Sequence, residues 1–357
     1  MKARELLIAL INASEKAANI ARKCRSNQHL FSLLIEEKTG DEKNDRFFHD
    51  FKTLADVLIQ ETIRYDVGSL FPCRKDSIKG EESNKFENVL GDKVIIEIDN
   101  NQENTFEMLR KVLDNNDEAA KELTNEIHKV VDTEEKLSIS DEVEIDFDIG
   151  IWIDPIDGTA EYINGIDELT EFPNIQKTGL QCATVLIGVY DKSTELPIIG
   201  VVCSPFATKD DDNYDSKIFY GISLNDIKYS NVQPRVKSRK IAITSSSEVH
   251  SRCSSFEISM AAGAGYKALK VIEGDADIYY LSKASTFRWD TCACQAILRA
   301  LGGDIVEFKN SIIEKQPIPL KYPDNNEDKC NRNGLIAYRD VNDFYKLVGD
   351  LSDAIKV

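Results

Sequence analysis

Histidine is scarce and scattered in this chain of 357 residues: His29, His49, His128 and His250 show no zinc-ligand spacing. The eight cysteines (Cys24, Cys73, Cys182, Cys203, Cys253, Cys292, Cys294 and Cys330) include no C-x-x-C pair, which excludes a zinc ribbon or a dithiol redox motif. Cys292 and Cys294 come nearest, but two residues apart on a helix they point to different faces. Their mostly apolar neighbours mark the cysteines as reduced, structural thiols. No apolar run approaches the ~20 residues needed to cross a bilayer. Met1-Lys2-Ala3-Arg4-Glu5 lacks the features of a signal or transit peptide. The expectation is a cytoplasmic protein without membrane insertion. Basic residues are short as well: 44 Lys and Arg face 62 Asp and Glu, a formal charge of −18. That balance argues against nucleic acid as a partner. It would also repel an anionic ligand unless a bound cation reversed the field locally.

Apolar residues at Leu6, Leu10, Ala13, Ala17, Ile20 and Cys24 predict an amphipathic helix. A second helix is expected after Thr53, with Lys38 to Asp50 as a charged surface loop between them. Strands are expected at Lys93 to Ile98, Ile149 to Ile153, Leu180 to Tyr190, Pro197 to Val202 and Lys240 to Thr244. The acidic stretch from Asn100 to Asp148 reads as an insertion holding one helix with Phe106, Leu109, Val112 and Leu113. Asp210 to Asp215 and Asn225 to Arg239 read as loops. Further helices are expected at Ala261 to Leu269 and after Trp289, the last ended by Gly302-Gly303. The fold class is α/β, an α+β layered sandwich with alternating helix and sheet layers. It divides into residues 1–190, with the insertion around 100–148, and 191–357.

Asp154-Pro155-Ile156-Asp157-Gly158-Thr159 is the most informative segment. Two carboxylates leave a buried strand where Gly158 and Thr159 open a helix, so a cation and a phosphate can both be received there. The plainer reading is a strand exit in which Asp157 caps the helix. Glu81 and Glu82, in Gly80-Glu81-Glu82-Ser83, read alone as a solvated charge run. Asp56 in Thr53-Leu54-Ala55-Asp56 and Asp290 after Trp289 read alone as helix-start residues. Together the four sites say more. Two carboxylates at 4 Å repel by roughly 4 kcal/mol at an effective dielectric near 20, so converging acids need a cation between them. Hard oxygen donors without His or Cys select magnesium over zinc.

At these motifs the chain resembles the lithium-sensitive, magnesium-dependent phosphatase superfamily of the inositol monophosphatase type. The carrying residues are Asp56 in Asp-Phe-Lys-Thr-Leu-Ala-Asp, Gly80 to Ser83, Trp152 to Thr159, and Trp289-Asp290. Ser14 to Arg22, Gly179-Leu180-Gln181-Cys182 and Gly263-Ala264-Gly265-Tyr266-Lys267 resemble the branch that removes the 1-phosphate from inositol polyphosphates. The resemblance implies an αβαβα layering and magnesium, two or more ions, held by Asp56, Glu81, Asp154, the Ile156 carbonyl, Asp157, Thr159 and Asp290. It implies catalytic roles for Glu82, Asp56 and Thr159, with Glu82 orienting the attacking water. It implies substrate contacts from Asp157, Gly158, Thr159, Ser247, Gly263, Ala264, Lys267 and Ser285. It further implies inhibition by lithium and a monomer acting on inositol 1,4-bisphosphate and inositol 1,3,4-trisphosphate.

Two departures are visible. Gly158 stands where that branch leads one to expect serine, and Glu248-Val249-His250 lacks the lysine expected one residue past the glutamate. The alternatives are a 3′(2′),5′-bisphosphate nucleotidase or an inositol monophosphatase, and, in another class, a catalytically silent inositol-phosphate-binding protein. Covalent routes lack their motifs, since there is neither a C-x5-R loop nor a G-x-x-x-x-G-K-[ST] loop.

Overall fold

A computed structural model describes residues 1–26, 31–38, 51–133, 137–210, 213–236, 238–248, 253–324 and 328–355. Numbering only the strands of the two large sheets, the first sheet comprises β1 (Ile78–Gly80), β2 (Ile149–Asp157), β3 (Thr184–Asp191), β4 (Pro197–Asp210), β5 (Asn213–Leu224) and β6 (Ile227–Ser230). Its order is β6-β5-β4-β3-β2-β1. β1 and β2 run parallel, and the remaining neighbours run antiparallel.

Alternation along the strands decides what each face covers. Val185, Ile187 and Val189 of β3 join a core with helices α1 (Ala3–Arg25) and α2 (Leu54–Leu70), whereas Leu186 faces the other way. The insertion holds α3 (Gln102–Val112) and α4 (Asp117–His128), and Leu109, Val112, Leu123 and Ile127 extend that first core. α5 (Thr159–Asn164) follows β2 directly.

On the opposite face, Leu186, Val202 and Phe219 meet Tyr266, Leu269 and Ile272 of α6 (Ala264–Glu273) and Ala293, Cys294 and Ile297 of α7 (Arg288–Ala300). α7 lies so close that a Cβ on Gly200 of β4 would stand 2.0 Å from the Ala293 carbonyl oxygen. Beyond this helical layer lies a second sheet of β7 (Ile241–Thr244), β8 (Glu257–Met260), β9 (Ile278–Leu281), β10 (Asp304–Glu307) and β11 (Leu335–Tyr338), in the order β8-β7-β9-β11-β10. After α8 (Phe308–Glu314) the chain ends in α9 (Val341–Ile355), whose Phe344, Leu347 and Val348 cover Ile278, Tyr280 and Ile336 on the outer face. The αβαβα layering is the expected one. No helix among the described residues is long and apolar enough to cross a membrane.

Several local expectations need correction. The stretch from Asp210 to Asp215 is no loop over its described residues: β4 runs through Asp210, β5 starts at Asn213, and the two are paired. A hairpin reaching past the core needs only backbone bonds, so its polar side chains hide it from a hydropathy reading. Ile227–Ser230 is likewise a strand within the expected loop from Asn225 to Arg239. The insertion holds two helices where one was expected, because Asn101 and Asn116 each accept a backbone N–H and start one. A division of the chain at residue 190 would cut the first sheet between hydrogen-bonded strands, since that sheet continues to Ser230. The rest of the expected loop after Lys38, and His250, lie outside the described residues.

Candidate metal and catalytic site

The site forms where β2 ends. Asp154 pairs with Leu186 and Asp157 with Thr184, so three steps on β2 match two on β3. This bulge inserts one residue at Pro155-Ile156 and turns Asp157 to the face that Asp154 occupies. Asp290 completes the group from α7, and one carboxylate oxygen from each of Asp154, Asp157 and Asp290 lies within 4.8 Å of the others.

The acids differ in how their oxygens are engaged. Asp157 Oδ1 accepts from the Ala264 N–H at 3.1 Å and Oδ2 from the Gly265 N–H at 2.9 Å. Asp290 Oδ2 accepts from the Phe287 N–H at 2.5 Å. Asp154 Oδ1 is buried without a hydrogen-bond partner among the described residues. Burial raises the carboxyl of Asp154 well above its ordinary range, reinforced by the charges of Glu81, Asp157 and Asp290. Burial likewise raises Asp157 and Asp290. An orphaned acceptor among crowded, hard oxygen donors fits a hard divalent cation.

A second acidic group borders the first. Lys38 Nζ stands 2.8 Å from Glu81 Oε1 and 2.5 Å from Glu82 Oε1, with the ammonium almost wholly buried. Glu82 is held far above the usual carboxylate range by burial and by the Glu81 charge. Asp56, pushed up to about 7 by burial, is further raised by Glu81 and lowered by Lys38. Glu81 therefore lies within electrostatic reach of both acidic groups. The ammonium of Lys38 already satisfies part of the demand for positive charge.

Two glycine turns beside these acids are built around one carbonyl. Gly158 and Gly263 both have positive φ, 83° and 72°, and a Cβ on either would crowd the Cys182 carbonyl oxygen at 3.0 and 2.6 Å. The Thr159 hydroxyl donates to the Ile156 carbonyl at 3.1 Å. Lys267 is buried, donates to the carbonyls of Gly263 at 2.6 Å and Ala261 at 3.2 Å, and lies 5.3 Å from the Tyr279 ring centroid. Burial pushes its amine down to about 8. Ala264 sits in the same turn, through its bond to Asp157. Ser247 is exposed after β7, with its carbonyl bound by Lys283, and Ser285 lies in the loop after β9. Neither makes a hydrogen bond to the acids among the described residues.

Sequence reasoning missed Lys38, which it placed at the start of a surface loop, and no periodicity marks that position. It also missed Gln60, although Gln60 falls four residues after Asp56 and thus on the same helix face. The segment from Ser14 to Arg22, in contrast, is architectural. Lys16 pairs with Asp66 at 2.6 Å, and Arg22 donates to the Pro205 carbonyl at 2.9 Å, fastening α1 to α2 and β4.

Comparison with known proteins places this geometry. The inositol monophosphatase family matches residues 86–340. The mouse protein named inositol polyphosphate 1-phosphatase is 40% identical over 374 residues, covering 95% of this chain and 94% of its own length. The bovine protein of that name is 41% identical, covering 94% of each. Among solved structures, the extragenic suppressor protein suhB from Bartonella henselae matches with a TM-score of 0.51 at 13% identity, over 96% of this chain and 98% of its own. That likeness concerns the fold alone.

Proposed function

This chain belongs to the inositol monophosphatase family, and from that premise we propose that it is a magnesium-dependent phosphomonoesterase removing the 1-phosphate from inositol 1,4-bisphosphate and inositol 1,3,4-trisphosphate. The observation that carries the reading is the near-full-length similarity to proteins named inositol polyphosphate 1-phosphatase, on a chain whose separated acidic motifs fold to one place.

Asp154, Asp157, Asp290, Glu81 and Asp56 would hold the ions, with the Ile156 carbonyl and Thr159 beside them. When bound, magnesium supplies the positive charge against which the phosphoryl oxygens and the attacking water are polarised. Glu82 orients that water and holds its proton. Its carboxyl is suited to the task because burial and the Glu81 charge raise its proton affinity above that of an ordinary carboxylate. Gly158 and Thr159 offer backbone N–H groups to the phosphate. Gly263, Ala264 and Lys267 bound the inositol side, with Ser247 and Ser285 on the neighbouring loops. The same reading has lithium as an inhibitor and the chain acting as a monomer in the cytoplasm.

The test is the identity of the product. Inositol 1,4-bisphosphate incubated with the enzyme and magnesium should give inositol 4-phosphate, read by phosphorus NMR. Release of the 4-phosphate instead would overturn the assignment.

A further inference from the structure

Gln60 of α2 is fully buried, and its amide meets a single residue of the site twice. Its Nε2 donates to the Glu82 carbonyl at 2.6 Å and its Oε1 accepts the Glu82 N–H at 2.9 Å. One side chain thus engages both polar groups of one peptide position, as a neighbouring strand would. Room for it comes from Gly80, where a Cβ would stand 1.8 Å from Gln60 Oε1 and 2.3 Å from Cδ. The glycine of Gly80-Glu81-Glu82 is therefore required by the amide rather than by backbone conformation. One turn earlier on α2, Asp56 is fixed by bonds from the Thr53 N–H and hydroxyl, both at 2.6 Å. A single rigid helix thereby ties Asp56 to the backbone of Glu82.

We propose that Gln60 is a positioning residue that sets the direction of the Glu82 carboxylate for catalysis. This rests on the reading of Glu82 as the group that orients water. A buried amide kept only for packing could find partners anywhere nearby, and isosteric replacement would be felt in stability alone. An amide that aims Glu82 acts on turnover and leaves substrate affinity alone. A shift of about 1 Å in a reacting group can cost about 100-fold in rate.

The experiment is a double-mutant cycle on phosphate release from inositol 1,4-bisphosphate, with circular dichroism melts to confirm folding. Gln60→Glu keeps the volume but replaces the amide donor with a carboxyl, and Gly80→Ala displaces the amide from the opposite side. Each should lower kcat by about 10- to 100-fold with KM unchanged. In a Glu82→Ala background, already crippled, neither should lower kcat further. Folded Gln60→Glu and Gly80→Ala proteins with full kcat, or losses that add to that of Glu82→Ala, would overturn the positioning role while leaving the proposed activity intact. Full turnover by Glu82→Ala alone would instead overturn the reading of Glu82 on which it rests.

Discussion

Asp56 and Asp290 occupy equivalent places in two unrelated helices. Each is the third residue of its helix and accepts, through Oδ2, the backbone N–H of the residue three positions earlier, Thr53 at 2.6 Å and Phe287 at 2.5 Å. One oxygen caps the helix, and the other remains for the site. Capping and the proposed metal binding therefore need not compete for the same oxygen. Asp290→Asn should lower turnover by at least about 100-fold, since charge brought by a metal is worth several kcal/mol in the transition state. In chelator the variant should be less stable than the parent by no more than about 1 kcal/mol, the typical cost of a lost cap. Near-parental turnover at saturating magnesium would contradict the assignment.

The crowded acids also make a prediction about pH without metal. The Asp56 carboxyl is pushed up to about 7 by burial, against an ordinary 3.8, so the folded chain holds a proton that the unfolded chain releases. That contribution is complete below the ordinary pKa and is lost as pH rises through about 7. Asp154, Asp157, Asp290 and Glu82 are displaced in the same direction. Melting temperature in chelator should therefore fall between about pH 4 and about pH 7, and magnesium should flatten the decline. Thermal scans across that range check it, and a metal-free protein that gains stability with rising pH would refute it.

Much of this arrangement was legible in the sequence because the acids proposed to hold the metal sit at places that local rules mark. Asp154 and Asp157 follow a buried apolar strand, and Asp56 and Asp290 stand at helix starts. What periodicity could not supply was their relative direction. Residues three apart on a regular strand face opposite sides, and only the bulge at Pro155-Ile156 brings these two together. Lys38 was hidden for a different reason: a lysine after Glu36-Glu37 looks solvated until the fold brings it between Glu81 and Glu82. The hairpin through Asp210 and Asn213 was missed because its pairing lies in the backbone.

Lys267 yields a prediction about substrate choice. Its amine donates to the carbonyls of Gly263 and Ala261, and under the proposed function its positive charge would favour a ligand carrying more than one phosphate. Lys267→Met should raise KM for inositol 1,4-bisphosphate by roughly 10-fold, the worth of a hydrogen bond to a charged group, and that for inositol 1-phosphate by less. Because burial pushes the amine down to about 8, its charge is lost as pH rises through that value. Bisphosphate KM should climb over the same interval in the parent enzyme and not in the variant. Equal KM changes for both substrates would contradict it.

Lithium inhibition is the outcome expected of the proposed all-oxygen donor set. Lithium is close to magnesium in size but carries half the charge, so it can occupy an all-oxygen site without stabilising a phosphoryl transition state equally. If it traps product after phosphate transfer, inhibition should strengthen as substrate rises. Initial rates against substrate at several lithium concentrations, with sodium chloride at equal ionic strength as control, provide the measurement. Equal effects of the two salts would refute the expectation.

Under the proposed function these acids serve hydrolysis of an inositol polyphosphate at its 1-phosphate. Its most direct test is the rate of phosphate release from inositol 1,4-bisphosphate, inositol 1-phosphate and 3′-phosphoadenosine 5′-phosphate, each with magnesium and with chelator. Release should be fastest from inositol 1,4-bisphosphate and absent without metal. Faster hydrolysis of the nucleotide, or undiminished release in chelator, would contradict that function.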